Sequence, residues 1–202
     1  MLFNLDILKE NLEKRGFHAV ICDDLQDAAR FIFKTFPVNN DMIIGMGNSL
    51  TSDALGIKKI WEKQTSAIYQ HVPDSSESET KKALLADIYL TSANAISFDG
   101  QIVNIDGMGN RTAATCYGPK QVIYVIGKNK IAPSLEEAIK RARNIAAVQN
   151  AKRYNRKTPC TITGKCEDCL SPECICGVMT IHRKKLYGLK TTVILVNEEA
   201  GF

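Results

Sequence analysis

The stretch HAVICDDLQDAARFIFKTFPVNNDMIIGMG, residues 18–47, changes character twice. HAVIC (18–22) is a short apolar run of the kind that makes a buried strand. Asp24 then offers a helix cap, and residues 24–36 read as a helix that Pro37 stops. MIIGMG (42–47) is apolar again and runs into a glycine turn. Strand, helix and strand in succession point to a mainly parallel sheet covered by helices.

The pattern continues on both sides. Upstream, residues 1–16 form a helical segment, with a helix over Leu5–Lys14 ended by Gly16. Downstream, SAIYQHV (66–72), DIYLTSA (87–93), QIVNID (101–106), QVIYVIG (121–127), VMTIH (178–182) and TTVILVN (191–197) read as strands. SESETKKALLA (76–86) is a helix opened by serine and acidic residues. Residues 133–153 are the clearest helix, with Leu135, Ile139, Ala142 and Ala146 at helical intervals and Glu136 and Glu137 in its first turn. The expectation is one α/β domain over residues 1–202, carrying a cysteine-rich loop at 159–177.

Composition narrows the setting. The chain has 202 residues and 45% hydrophobic content, enough for a sizeable core. The amino-terminal stretch mixes charged and apolar residues and so lacks the core of a signal peptide. No run approaches the roughly 18 apolar residues of a membrane span. The expected address is the cytoplasm, with no membrane partner. Net charge is +4, but unevenly placed: residues 1–119 hold 11 basic and 15 acidic side chains, and residues 120–190 hold 15 and 5. Such a local excess attracts an anionic metabolite, an acidic partner or nucleic acid.

Two loops carry binding chemistry. In GMGNSLTSDALG (45–56), Gly45 and Gly47 allow a tight turn, while Asn48, Ser49 and Thr51 offer amides and hydroxyls at the start of a short helix, where an anion is favoured. The spacing matches neither a dinucleotide-binding fingerprint nor a P-loop, and a capped structural turn would have the same composition. In TSANAISFDGQIVNIDGMGNR (91–111), Asp99 and Gly100 suit a hairpin turn, and Asn94, Asn104, Asp106, Gly107, Asn110 and Arg111 gather hydrogen-bonding groups at strand ends. Arg111 is a candidate clamp for a carboxylate or phosphate, and Asp106 a candidate acid or base. His18, His71 and His182 stand in no ligand spacing, Cys22 suits a strand interior, and Trp61 a gap between helix and sheet.

Five of the seven cysteines fall in PCTITGKCEDCLSPECIC, residues 159–176. In a reducing compartment, clustered thiols favour metal or redox chemistry over disulfides. Zinc, an iron–sulfur cluster and free regulatory thiols are the open alternatives, since the spacing is neither that of a zinc ribbon nor that of a bacterial ferredoxin. The surrounding lysines and arginines would offset the negative charge of a thiolate site.

The run from DIYLTSANAISFDGQIVNIDGMGNR through AAVQNAKR to PCTITGKCEDCLSPECIC resembles the lactate-utilisation (LUD) domain family, and the resemblance extends over essentially the whole chain, the 45–56 loop included. It implies the fold type shared by sugar-phosphate isomerases and CoA transferases, and a role tied in some bacteria to oxidising L-lactate to pyruvate, with iron–sulfur lactate-oxidation subunits as partners. In the resemblance, Cys160, Cys166, Cys169 and Cys176 carry the motif and Cys174 is an extra. It names no reaction and no organic cofactor. The leading expectation is therefore a protein of organic-acid utilisation that binds a small anionic metabolite and carries a cysteine metal or redox site. An enzyme of isomerase or CoA-transferase type is the alternative, although the acidic sets of those enzymes find no matching motif. A regulatory nucleic-acid-binding protein ranks last, because only Tyr154 and Tyr187 are available for stacking in the basic region.

Overall fold

Alternation of apolar side chains along the central strands settles the layering. In a strand, neighbouring residues face opposite sides of the sheet. Val122, Tyr124 and Ile126 pack with Leu8 and Leu12 on one face, and Ile123 and Val125 pack with Ala28, Ile32 and Trp61 on the other. Both faces are covered, so the strands are apolar almost without interruption, as parallel strands are.

The computed structural model describes residues 3–70 and 76–202. In chain order it contains α1 (Leu5–Lys14), β1 (His18–Cys22), α2 (Leu25–Thr35), β2 (Ile44–Met46), α3 (Leu50–Ala54), α4 (Ile57–Trp61), β3 (Ile68–Gln70) and α5 (Glu77–Lys82). Then come β4 (Ile88–Thr91), β5 (Ala95–Ser97), β6 (Ile102–Asp106), α6 (Asn110–Cys116), β7 (Gln121–Gly127), β8 (Ile131–Ala132) and α7 (Leu135–Arg141). A π-helical stretch, Ala142–Ala147, joins α7 to α8 (Val148–Arg153), and α9 (Pro159–Thr163), β9 (Val178–His182) and β10 (Lys190–Val196) complete the chain.

Among the described residues the strands form two sheets. The first has the order β1-β10-β7-β4-β2-β3 and is parallel throughout. The second, β8-β5-β6-β9, is mixed: β6 runs antiparallel to β5 and β9, and β5 parallel to β8. Ile96 and Ile102 of this second sheet join the core with α1, while Ala95, Val103 and Ile105 pack against Ala138, Ala142 and Ala147 of the long helix. The mainly parallel α/β architecture expected from the sequence is thus observed, with two of the expected strands, β6 and β9, moved into a second layer.

Local chemistry places the element ends. Asn4, Asp24, Ser76 and Ser134 each cap a helix by accepting from backbone N–H groups, and Ser76 and Glu79 complete a capping box. The helix expected over 76–86 ends at Lys82 and continues as a 3₁₀ turn, Ala83–Leu85. Of the strand expected over 66–72, Ile68–Gln70 is observed; His71 and Val72 lie outside the described residues, as do Met1 and Leu2 of the amino-terminal segment. Cys22 and Trp61 are buried core residues, as their settings suggested. No helix of the described residues is long and apolar enough to cross a membrane.

Candidate functional site: a cationic cavity beside a cysteine-lined one

Open parallel sheets expose loops beyond the carboxyl ends of their strands, and ligands collect there. Here the loops after β2, β4 and β7 and the end of β6 surround a cavity of about 400 Å³. Asn48 and Ser49 reach it from β2, Ser92 and Asn94 from β4, Lys130 from β7, and Asp106, Gly107, Asn110 and Arg111 from the β6–α6 junction. Asn150, Arg153, Tyr154 and Arg156 close it from the end of the long helix. Among the described residues, four basic side chains and one acidic side chain therefore line this cavity.

Of the residues singled out in the sequence, Gly45, Gly47 and Thr51 stand behind the wall and do not line this cavity. A Cβ on Gly45 would lie 2.5 Å from the Tyr89 ring, and one on Gly47 2.5 Å from Thr91 Oγ1 and 3.1 Å from Arg111 Cδ, so these glycines serve close packing. Thr51 is buried, donating to Ala200 O at 2.9 Å and accepting from Lys130 Nζ at 2.9 Å. The helix that follows the turn, α3, has only five residues, and Ser49 makes no side-chain cap bond. Asn48 is held instead by side chains: its Nδ2 donates to Tyr154 Oη at 2.9 Å, and its Oδ1 accepts from Arg153 Nη2 at 3.2 Å. The cavity's positive character comes from these side chains rather than from a helix end.

Arg111 is fixed before any ligand arrives. Its Nη1 donates to Asn104 Oδ1 at 2.5 Å, and its Nη2 to Ile105 O at 2.5 Å and Asn94 Oδ1 at 3.3 Å. Guanidinium carries five N–H donors, so Nε and one Nη1 proton remain for an anion. Asn104 is itself fully buried and lies behind the cavity, holding the guanidinium. Asp106 is 9% exposed, and both its oxygens accept from the chain that follows, Oδ1 from Met108 N at 3.3 Å and Oδ2 from Thr112 N at 3.0 Å. It organises the start of α6.

Lys130, Arg153 and Arg156 are not singled out in the sequence, and Tyr154 only as a residue available for stacking. Lys130 is 3% exposed, and its Nζ donates to Thr51 Oγ1 at 2.9 Å and Ser92 Oγ at 3.0 Å. Burial, then the charges of Arg141 and Arg111, lower its pKa from 10.5 to about 7. Its one visible sequence signal is position: a lysine directly between two apolar strands.

A second cavity, of about 200 Å³, is lined by Cys160, Cys166, Cys169, Cys174 and Cys176 together with Arg143, Ala147 and Ala151. The long helix divides the two cavities: Ala146, Asn150 and Arg153 face the cationic one, and Arg143, Ala147 and Ala151 face the thiols. Ile105 and Ile175 line both. Arg143 Nη2 donates to Cys166 Sγ at 3.5 Å and to Asp168 Oδ1 at 2.7 Å, and Asn144 Oδ1 accepts from Cys166 N at 3.0 Å. Burial and the neighbouring thiols push Cys176 up to about 12. Glycines let the hook lie close to the β6–α6 loop, since a Cβ on Gly177 would sit 2.8 Å from Gly107 O.

The donor set, five thiols with arginine at the rim, has the chemistry of a soft-metal or iron–sulfur site. Among the described residues no three His, Cys, Asp or Glu side chains converge tightly enough to share a single ion. A tetrahedral zinc with sulfurs at about 2.3 Å needs such convergence.

No curated protein matches this chain. Among solved structures, the crystal structure of a DUF162 family protein from Deinococcus radiodurans at 1.70 Å resolution is similar to it, with 16% sequence identity, 96% of each chain covered and a TM-score of 0.54. At that identity the likeness concerns the fold. The profile of the LUD domain matches residues 5–196, the α/β body with the cysteine hook and all the lining of both cavities except Phe202, and the chain belongs to the LUD domain family.

Proposed function

We propose that this chain serves the utilisation of small organic acids, L-lactate and its oxidation product among them, by holding an anionic metabolite in the cationic cavity beside an iron–sulfur centre on Cys160, Cys166, Cys169 and Cys176. The observation that carries this reading is the convergence of Arg111, Lys130, Arg153 and Arg156 on one cavity that shares Ile105 and Ile175 with the cysteine cavity. Guanidinium groups bind carboxylates through paired, charge-assisted hydrogen bonds, and the pre-fixed Arg111 loses little freedom in doing so. A cluster in the neighbouring cavity would supply one-electron transfer. The chain's own part is to orient the anion and to keep Arg143 at the cluster's edge, where it offsets thiolate charge.

An isomerase or CoA-transferase reading draws less support. Asp106, the one acidic side chain lining the cavity among the described residues, is occupied with Met108 N and Thr112 N, which leaves it poorly placed as a nucleophile or proton carrier. The test uses protein purified without oxygen. Calorimetry with L-lactate, pyruvate, phosphate and acetyl-CoA should give heat with a small carboxylate, and Arg153→Gln should weaken it about tenfold, the loss of one charged hydrogen bond. Iron and sulfide analysis with visible absorption should show a cluster that Cys166→Ser abolishes and Cys174→Ser spares. No binding by any of the four ligands would remove the first half of the reading, and stable, metal-free protein the second.

A further inference from the structure

Buried lysines are normally matched to a carboxylate, because an unpaired ammonium out of water is costly. Lys130 has no such partner: among the described residues its Nζ meets only the hydroxyls of Thr51 and Ser92. The Thr51 hydroxyl proton is committed to Ala200 O, so toward Lys130 that oxygen can only accept. A neutral amine that gives its two N–H groups to Thr51 and Ser92 satisfies both contacts and keeps its lone pair free. The charges of Arg141 and Arg111, both cationic, favour that neutral form. The side chain lines the same cavity as Arg111, Arg153 and Arg156.

We propose that Lys130 is the nucleophile of this cavity and forms an imine with the carbonyl carbon of a bound 2-oxo carboxylate. The inference rests on the anion-binding reading above and adds a covalent step to it. A 2-oxo acid places a carboxylate and an electrophilic carbon on adjacent atoms, which matches arginines and an amine set around one small space. Nζ attacks the carbonyl carbon, forming the C–N bond as the C=O π pair moves to oxygen, which takes up a proton. The carbinolamine then loses its hydroxyl as water, the nitrogen giving up its remaining protons, and a C=N bond results. Amine and carbonyl become imine and water, with no change of oxidation state. Lysines desolvated beside other cations are the kind that do this chemistry.

The experiment is reductive trapping of the full chain with pyruvate and cyanoborohydride, read by intact mass and peptide mapping. One reduced adduct per chain, on a peptide that contains Lys130 and is left uncut after it, and not on exposed Lys128 or Lys120, is expected. L-Lactate, which lacks the carbonyl, should give none, and acetone, which lacks the carboxylate, should label more slowly. Lys130→Met should lose the adduct, and Lys128→Arg should keep it. Because mapping the wild-type adduct needs no variant, a misfolded Lys130→Met leaves the test intact. Pyruvate binding by calorimetry with no adduct, or with adducts scattered over surface lysines, overturns the inference and leaves the anion-binding reading standing. Neither binding nor adduct overturns both.

Discussion

Arg111 and Lys130 are set in the same cavity by opposite means. Three protein oxygens hold Arg111, so removing it takes one donor each from Asn94 Oδ1, Asn104 Oδ1 and Ile105 O, although Asn94 Oδ1 keeps Ile105 N and Asn104 Oδ1 keeps Asn94 N. Arg111→Met should therefore cost about 1 to 2 kcal/mol of stability in urea unfolding, besides weakening anion binding. An unchanged unfolding midpoint would show that the remaining donors and water satisfy the three acceptors. Lys130 is held by two hydroxyls against the charges of Arg111 and Arg141, with Asp106 the one acidic side chain lining the cavity among the described residues. Its lowered pKa has a definite sign in stability. Below about 7 both folded and unfolded chains carry the proton, and the slope vanishes. Between about 7 and 10.5 the unfolded chain holds the proton and the folded chain has released it, so stability rises with pH. The stability difference between wild type and Lys130→Met should thus grow in favour of wild type by up to about 1.4 kcal/mol per pH unit across that window. Urea titrations at pH 6, 7, 8 and 9 measure it, and a difference that stays flat contradicts a buried amine near neutrality.

At the scale of elements, the cysteine hook touches the rest of the chain through a contact only glycine permits. Gly177→Ala would press a methyl group onto Gly107 O, a backbone atom with little room to retreat. Overpacking of this kind costs about 1 to 3 kcal/mol, and here it should also lift the hook, so that Cys176 reacts faster with a thiol reagent than in wild type. Which elements could be read in advance follows from their length. Helix α1, helix α2, the 135–153 helix and strands β1, β7 and β10 each span enough residues for apolar periodicity to show. Strands β5 and β8 have three and two residues, too few for alternation to show, and α6, with seven, spans fewer than two full turns. The second sheet escaped notice because β6 and β9, paired side by side, are separated in the chain by more than seventy residues, and no local pattern encodes that pairing. The site divides the same way. Asn48, Ser49, Asn94, Asp106, Gly107, Asn110 and Arg111 lie in glycine-rich strand-end loops whose composition announces them, whereas Lys130, Arg153 and Arg156 are single basic residues in a basic third of the chain.

For the molecule as a whole, the hook buries little apolar surface, Ile162 and Leu170 being exposed, and ordering its backbone costs roughly 1 to 2 kcal/mol per residue. A metal centre would offset that cost, so hydrogen exchange over residues 164–176 should slow when anaerobic protein is loaded with iron and sulfide, and recover on chelation; equal exchange in the two states would separate loop order from metal. Ile175 carries the larger consequence. It is a hook residue, yet it forms part of the wall against which the anion would rest. Anion affinity then depends on the fraction of molecules whose hook is folded: were only about a tenth of them ordered, the apparent dissociation constant would rise about tenfold with every arginine in place. If the hook is ordered by a metal as proposed, reciprocity requires the anion to tighten its hold on that metal by the same factor. A protein built this way reports the state of its thiols as a change in appetite for its ligand, and oxygen, by disordering a loop that the metabolite need not touch through any polar group, would act as an antagonist.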